Sequence, residues 1–427
     1  MDYGVRLWLR GESLSAIGIN TRGQQNRLGN RTAVLLGVCL ISLLVYVTCT
    51  AFISDAWALQ SFHVGVFTLL GAYLLTGLSR VENKVTVGVD WLIYLIPAWG
   101  VIQIITQTTA STFETRMATL RWGALACIFF LARVIGDSRR TRQVLLSAFL
   151  LFATVIAVLC LTQLFTSEGR VLWVFSSGYP DVYATFPSYN HYVQFIELAL
   201  PIALWRAVRE GLKSWWYALA GGVLYGSVIG AASRTGAVLC TAEVLYMLSM
   251  GLVRYRVREH RLLWRSTAAT LIMVPILAAL FTTAVGWERV WERFKEHDPY
   301  IVRREFLVAA LDIAQHHPLA GAGLDTFPAV YQRYAIKDFP FYANHAHNDW
   351  MEFAADGGVP FFLLVSIPFA AIIPSAIRNP WGVGLLAVML HACVDFPFPR
   401  TAVSGWIFFM LAMLYAAKKH DQMSHEP

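Results

Sequence analysis

Charged residues are scarce in this sequence. Only 14% of its 427 residues are Asp, Glu, Lys or Arg, whereas 57% are hydrophobic. Soluble globular domains have about 25% charged residues, so the composition argues against a soluble protein. Apolar runs recur along the chain, each near the roughly 20 residues that a helix needs to cross a bilayer. The short alternating strands of a membrane β-barrel are missing.

Paired cysteines and nucleotide-binding loops are also missing. Six cysteines lie in or beside apolar runs without any CxxC pair: Cys39, Cys49, Cys127, Cys160, Cys240 and Cys393. We interpret them as small apolar side chains, because zinc sites and disulfide frameworks need clustered cysteines. Gly321-Ala322-Gly323 lacks both a preceding strand and the third glycine of a dinucleotide loop. The sequence therefore predicts neither a cofactor nor a metal.

We predict an all-α integral membrane protein with about 12 transmembrane helices. A bilayer offers no hydrogen-bond partners to the backbone, so the spans must be helical. Their approximate ranges are 33–53, 62–79, 89–106, 117–136, 143–163, 191–208, 215–232, 237–253, 266–286, 359–377, 381–397 and 402–417. These spans divide the chain into five segments: an N-terminal tail (1–32), nine spans (33–286), a large helical loop (287–358), three spans (359–417) and a C-terminal tail (418–427).

The distribution of lysine and arginine predicts how the chain crosses the membrane. Both tails and alternate loops hold most of the basic residues outside the long 287–358 loop, whereas the short loops between them carry only scattered single arginines: Arg116, Arg170, Arg234 and Arg400. Basic loops stay in the cytoplasm, so both termini are predicted to be cytoplasmic. We attribute the net charge of +7 to this asymmetry and not to nucleic-acid binding. The 287–358 loop then faces the periplasm of a bacterium, where nucleotides are not available to drive synthesis.

The 287–358 loop has its own helical pattern. The spacing of Phe306, Ala309, Ala310, Ile313 and Ala314 predicts an amphipathic helix over 301–317, which Pro318 ends. A turn at Gly321-Ala322-Gly323 and a second short helix over 326–335 follow. Asn348 is a good N-cap for a further short helix from Asp349 to Ala355, stopped by Gly357-Gly358.

The most polar stretch of the loop is 343–360, which holds two histidines, two asparagines and three carboxylates. His347 is our candidate catalytic base, because histidine can accept a proton from a hydroxyl near neutral pH. It precedes a predicted helix N-terminus, which attracts anions such as phosphate. The alternatives are a histidine held in a loop by hydrogen bonds, and a metal site in which His345, His347 and Asp349 share one face of a strand.

Several arginines are candidates for phosphate binding, because the guanidinium fork matches phosphate oxygens. Arg234 lies in a very short turn, where interfacial snorkelling is the alternative. Arg303 and Arg304 begin the amphipathic helix and could equally form a solvated face. Arg121 lies in or at the edge of a span and needs an anionic partner, such as Glu197 or a lipid phosphate. The aromatic run 186–191 suits either sugar stacking or an interfacial belt.

These residues resemble a known family. His347-Asn348, nine residues and then Gly358 are similar to the loop motif of the O-antigen ligase family, although Phe361 stands where that motif has Gly, Thr or Tyr. Ser233-Arg234-Thr235-Gly236 is similar to the family's arginine turn, and the run from Arg304 to Gly323 resembles the segment before its histidine. The larger superfamily includes polysaccharide polymerases and protein O-oligosaccharyltransferases.

The resemblance implies a GT-C-like fold in the bacterial inner membrane and a metal-independent, inverting glycosyl transfer. The implied donor is a glycan on undecaprenyl pyrophosphate. The implied acceptor is a lipid A core sugar in a ligase, another glycan in a polymerase, or Ser/Thr in a protein transferase. His347 would be the base, Arg234 with Arg303 or Arg304 would hold the pyrophosphate, and Asn348 would orient the ring or the acceptor. Arg121 and His345 complete the candidate substrate-binding set.

A transporter of lipid-linked sugars is the alternative from a different functional class. Transporters tend to place polar groups near the middle of the bilayer and to have paired broken helices. In this sequence the predicted midplane has few charges and the polar clusters share one face. Asp90 and Asp395 lie near span ends and do not form an evident proton path. An enzyme therefore explains the pattern better.

Overall fold

A computed structural model of the chain describes residues 32–75, 88–176, 182–210, 215–258, 301–337 and 343–423, with a few isolated residues between 273 and 295. The predicted span 266–286 and the start of the 287–358 loop lie mostly outside the described residues. The N-terminal tail lies almost wholly outside them.

The described residues are almost entirely helical. The longer helices are α1 (Thr32–Cys49), α2 (Ala56–Leu75), α3 (Ile96–Ile105), α4 (Thr112–Gly136), α5 (Arg139–Thr166), α6 (Tyr189–Glu210), α7 (Trp215–Ala231), α8 (Arg234–Arg258), α9 (Ile301–His316), α11 (Asp349–Arg378), α12 (Val383–His391) and α13 (Thr401–Met423). One short helix, α10 (Phe327–Val330), and 3-10 turns at Val89–Leu95, Tyr331–Arg333 and Pro380–Gly382 complete the helical part. Strands β1 (Arg170–Val171) and β2 (Phe175–Ser176) form a small antiparallel hairpin.

Six of the described helices are long and apolar enough to cross a membrane: α1, α2, α4, α5, α11 and α13. This finding confirms an all-α membrane protein, while the number of 12 spans stays a prediction. One predicted span is wrong in its extent. The range 381–397 was expected to be helical throughout, but α12 ends at His391 and residues 392–400 form a connector to α13. Pro397 and Pro399 favour this connector, because each lacks the N–H that a continuing helix would use.

Helix α13 forms the centre of the bundle. In its most apolar stretch, 94% of the residues are buried. It packs against α4, α6 and α11. The Trp406 ring stacks on Phe149 of α5 with centroids 4.3 Å apart. The indole Nε1 of Trp406 also donates to Thr48 of α1. Because lipid is as apolar as a protein core, such close packing and internal hydrogen bonds are what hold membrane helices together.

The predicted elements of the polar loop are present where the structure describes them. Helix α9 ends at His316, just before Pro318, and buries Phe306, Ala309, Ala310 and Ile313 on one face. The predicted second helix is shorter, consisting of α10 and a 3-10 turn. The side chain of Asn348 caps α11 by accepting from Met351 N, as predicted. However, α11 continues to Arg378 and is kinked at Gly358 instead of ending there.

The kink of α11 packs directly on the glycine turn. Backbone N–H groups of Ala322 and Gly323 donate to the carbonyls of Ala355 and Asp356, both at 2.9 Å. Gly321 has φ +69° and Gly358 has φ +72°, a region that favours glycine. A Cβ at Gly321 would collide with the backbone of Asp356. The predicted turn is confirmed, and the two glycine motifs are explained as halves of one backbone contact.

Gln103 of α3 fixes this contact through its side-chain amide. Its Nε2 donates to the carbonyls of Ala320 (2.6 Å) and Asp356 (2.8 Å), and its Oε1 accepts from Leu324 N at 3.1 Å. The side-chain amide of Gln103 thus makes its three hydrogen bonds to the loop residues Ala320 and Leu324 and to Asp356 of α11. Buried polar groups are costly unless paired, so this side chain stabilises only the docked arrangement of the loop.

We predict that Gly321→Ala destabilises the protein, because it adds left-handed strain of about 1–3 kcal/mol and a collision with Asp356. The measurement is thermal unfolding of the purified protein in detergent. Gly71→Ala is the matched control, since a Cβ there meets nothing within 4 Å and Gly71 lies inside helix α2. Gly71→Ala should be neutral or stabilising by up to about 1 kcal/mol. Equal unfolding temperatures for Gly321→Ala and wild type would contradict the backbone contact.

Candidate active site

His347 sits on a left-handed backbone, with φ +53°, immediately before the N-cap of α11. This conformation is uncommon for a residue with a side chain and marks a position that its surroundings hold in place. Nδ1 of His347 lies 3.3 Å from Oδ1 of Asp395, which is within ion-pair distance. The two atoms are not aligned for a hydrogen bond. The side chain is 28% exposed. Since Nδ1 is buried against Asp395, the remainder of the ring is the part open to a substrate.

The connector 392–400 brings Asp395 to this position. Asn348 Nδ2 donates to the Cys393 carbonyl at 2.8 Å, while the same side chain caps α11 with its oxygen. Asp349 receives a hydrogen bond from Phe398 N at 2.9 Å, and its own N–H donates to the Ala392 carbonyl. The histidine and its carboxylate partner are therefore fixed relative to each other by the first turn of one helix.

Asp395 is 1% exposed, so its charge needs compensation. Burial would raise the pKa of Asp395, but His347 beside it, together with His191 and His391, outweighs burial and lowers this pKa below its ordinary range. The carboxylate is consequently ionised at neutral pH. An ionised partner on Nδ1 orients a histidine so that Nε2 can exchange protons, as in other carboxylate–histidine pairs.

His345 has a separate carboxylate partner. Its Nδ1 lies 2.7 Å from Oε1 of Glu352, and Oε2 of the same carboxylate accepts from Ala346 N at 2.6 Å. Glu352 is one turn into α11, so this pair ties residues 345–346 to the helix. His345 and His347 thus do not share a partner. The described residues contain no group of three or more His, Cys, Asp or Glu placed to hold a metal.

Phe396 is the ring around which these side chains gather. Its centroid lies 4.4 Å from that of His345, 4.7 Å from His347 and 4.9 Å from His191. The guanidinium carbon of Arg400 lies 5.1 Å from the same centroid, within cation–π range. The predicted aromatic run 186–191 therefore contributes to the site, through His191.

The arginine turn at 233–236 is anchored beside His191. Arg234 is the first residue of α8, and Ser233 donates from its hydroxyl to Oδ1 of Asn190 at 2.9 Å. The Ser233 hydroxyl also accepts from Gly236 N and so caps α8. Arg234 is half-buried and engaged with its surroundings. The turn is thus connected to the histidine cluster through two successive residues of α6.

Arg303 and Arg304 begin α9 and differ in their surroundings. Arg303 is half-buried, and its Nη1 donates to the Val394 carbonyl at 2.8 Å, so it supports the connector that carries Asp395. Arg304 is exposed. Phosphate binding by either arginine stays a prediction, and in this structure Arg303 is already committed to a carbonyl.

Arg121 forms a buried ion pair with a partner that the sequence did not indicate. Its two terminal nitrogens donate to both oxygens of Asp325, at 2.6 and 2.7 Å. Burial would raise the pKa of Asp325, but Arg121 outweighs it and holds this pKa below its ordinary value. The expected partner, Glu197, is wrong: that carboxylate lies 2.7 Å from Nδ1 of His391. A substrate-binding role for Arg121 stays a prediction.

Asp395, Glu352 and Gln103 were missed as site residues. The span prediction places Asp395 near the end of the range 381–397, although the run Asp395-Phe396-Pro397-Phe398-Pro399-Arg400 carries a signal for a connector. Two prolines close together predict a non-helical connector, in which a charge is less costly than in a span. Gln103 stands in an apolar run, and Glu352 is one of three carboxylates in the polar stretch 343–360 whose spacing does not single it out.

We predict that Arg121→Met lowers the free energy of unfolding by about 3–5 kcal/mol, because it leaves Asp325 buried without a counter-charge. Thermal unfolding in detergent measures this loss. The exposed Arg116 lies on the same helix, so Arg116→Met is the control and should change stability by less than about 0.5 kcal/mol. The double variant Arg121→Met/Asp325→Leu should recover most of the loss. A destabilisation that the second substitution does not relieve would contradict the ion pair as its cause.

Comparison with known protein families finds a match to part of the chain. Residues 218–366 match the sequence profile of a family described as O-antigen ligase. The matched segment contains the arginine turn, the glycine turn, His347 and the kink at Gly358, but ends before Asp395 and Arg400. No curated protein matches the chain. The matched segment holds the residues on which the resemblance depends, and the match supports membership of the O-antigen ligase family.

Proposed function

We propose that the protein is a glycosyltransferase of the O-antigen ligase type, with His347 as its catalytic base. The observation that supports this most is the pairing of a partly exposed histidine with the buried Asp395 at the start of α11. A base must combine access to the substrate with a partner that orients it, and this pair has both. Family membership supports a lipid-linked glycan as substrate.

The proposed reaction is a direct displacement at the anomeric carbon of the donor sugar. An acceptor hydroxyl attacks this carbon while its proton moves to Nε2 of His347. The bond from the anomeric carbon to the pyrophosphate oxygen breaks, and the pyrophosphate lipid leaves with the electron pair. Attack opposite the leaving group inverts the anomeric configuration. Because the leaving group is already activated, the step needs no nucleotide, metal or other cofactor.

Arg234, with Arg303 or Arg304, would stabilise the charge that grows on the leaving pyrophosphate. Arg234 suits this role because its turn is anchored to Asn190, next to His191 in the histidine cluster. Asn348 and His345 would orient the site through their contacts with the connector and with Glu352. The donor in this proposal is a glycan on undecaprenyl pyrophosphate in the bacterial inner membrane. The active site faces the periplasm and both termini the cytoplasm.

We propose a sugar of the lipid A core as the acceptor. A growing glycan, as in a polymerase, and a protein hydroxyl are the alternatives within the superfamily. The transporter alternative is not favoured by the arrangement of the polar groups. His347 and Arg303 contact the connector 392–400, and His345 contacts Glu352 in the first turn of α11, so these contacts lie at the loop–helix junction and not in the middle of a span.

We predict that His347→Ala reduces transfer by about 10²–10⁴-fold, the range for losing a general base. The assay mixes purified protein with undecaprenyl-pyrophosphate-linked glycan, with and without core lipid A, in EDTA. The control is His316→Ala, whose side chain is 61% exposed on α9 and which should keep wild-type activity.

The products of this assay distinguish the acceptors. Glycan on core lipid A supports the ligase, and longer lipid-linked glycan without lipid A would indicate a polymerase. Wild-type activity in the folded His347→Ala protein would remove this histidine from the mechanism. Loss of wild-type activity in EDTA alone would contradict a metal-independent reaction.

We predict that Asp395→Asn lowers kcat by about 10–100-fold, the effect typical of losing a residue that orients a catalytic group. The donor KM should change by less than about twofold, because Asp395 is buried behind His347. The double variant His347→Ala/Asp395→Asn should be no slower than His347→Ala alone, since both act through one proton transfer. Additive losses in the double variant would show that Asp395 acts independently of His347.

A further inference from the structure

A cavity of about 150 Å³ lies next to the histidine cluster. It is lined by the end of α1, the start of α2, residues 186–191 at the start of α6, and the N-terminus of α13. Apolar and polar side chains share its walls: Val47, Ile53, Leu59, Phe186, His191 and Arg400. At about 10–15 Å³ of this volume per water molecule, it has room for roughly ten or more water-sized groups, comparable to a pyrophosphate and the first carbons of a lipid tail.

The polar wall of the cavity is suited to an anion. Arg400 supplies a permanent positive charge, and no Asp or Glu is among the described residues that line the cavity. Thr401 and Ala402, the first residues of the 23-residue helix α13, also line it, so a positive helix end adjoins the same space. His191 is only 4% exposed, and its Nε2 has no hydrogen-bond partner among the described residues.

The cavity is also connected to His347. Arg400 lies against one part of the Phe396 ring, and His347 packs edge-on against the same ring with centroids 4.7 Å apart. Arg400 belongs to the connector 392–400, which also carries Asp395. A group bound by Arg400 is therefore held by the same short segment that positions the proposed base.

The apolar wall indicates a lipid-borne phosphate instead of a free one. In the most apolar stretches of α1 and α2 only 28% of the residues are buried, so the described residues leave most of these two apolar helices uncovered. By contrast, 94% of the corresponding stretch of α13 is buried. The cavity thus lies between the central helix and two apolar, largely uncovered helices, whose surface suits contact with lipid. A chain with an apolar tail could enter it from the membrane.

We propose that this cavity binds the pyrophosphate and the first isoprene unit of the donor lipid, with Arg400 and His191 contacting the phosphate oxygens. This inference rests on the proposed function and adds a subsite to it. The glycan would extend from the phosphates past Phe396 toward His347. Arg234 would contact the leaving group from the side of α8.

The test measures binding without transfer. Radiolabelled undecaprenyl pyrophosphate is titrated against the full-length protein in nanodiscs of neutral phosphatidylcholine. Arg400→Gln should weaken binding by about tenfold or more, the effect of losing a charged hydrogen-bond donor. Ala51→Phe, which fills the cavity from the α1–α2 connector, should weaken it similarly without removing a charge. The control Arg116→Gln removes an exposed arginine outside the cavity and should bind like the wild type.

Competition identifies the source of the phosphate. Inorganic pyrophosphate and phosphatidylglycerol should each displace the label at least about tenfold less effectively than unlabelled undecaprenyl pyrophosphate. Equal displacement by either would overturn the assignment to the donor lipid, as would unchanged binding in both cavity variants. Ala51→Phe keeps the test decisive if Arg400→Gln does not fold.

Failure of the inference is separable from failure of the proposed function. His347→Ala should bind the lipid normally but not transfer glycan, because the base does not line the cavity. If the wild type binds the lipid through Arg400 but transfers no glycan to any acceptor, the subsite stands and the proposed reaction fails. If transfer occurs while both cavity variants bind normally, the reaction stands and the subsite fails.

Discussion

The attachment of the connector 392–400 to the first turn of α11 is the constraint on which the candidate site depends. Asn348 and Asp349 together make three hydrogen bonds to this connector, and Asn348 also caps the helix. Each of these groups would be costly to bury without its partner. The connector therefore has one position in which all of them are satisfied, and that position places Asp395 against Nδ1 of His347.

A second layer of polar contacts fixes α11 itself. The glycine turn at 321–323 bonds backbone to backbone with the kink at Gly358, and Gln103 holds both from α3. Arg121 and Asp325 add a bidentate ion pair from α4 to the same turn. Phe361, which departs from the family's loop motif, packs in the aromatic core against Trp122 and Phe353. The position at which this sequence differs from the family motif is therefore one whose side chain packs in the aromatic core.

Sequence reasoning was strong where a periodic or local rule applied. Apolar run length predicted the membrane class, and the Phe306–Ile313 spacing and Pro318 predicted α9. Capping preference identified Asn348, because an N-cap depends on only three neighbouring residues. The family motif identified His347 as a candidate, whose catalytic role remains to be measured. The number of spans and the direction in which they cross also remain predictions.

Sequence reasoning was weak where partners are distant along the chain. Arg121 and Asp325 are separated by 204 residues. No feature of the neighbouring sequence indicates that Asp325, and not Glu197, is the counter-ion of Arg121. The span prediction includes Asp395 because the surrounding residues are apolar, although α12 ends before it. Long-range polar pairing is decided by the packing of whole helices, which the pattern of one segment does not contain.

The central place of α13 has a consequence for the order in which the molecule is built. This helix follows the other described helices in sequence, yet it is the most buried of the membrane-crossing candidates, and it follows directly on the connector that holds Asp395 and Arg400. During synthesis the earlier helices must insert without the element that fills their centre. The bundle can close only when residues 401–418 have been made. The site is therefore completed in the same step as the core, so a chain that stops before α13 has neither.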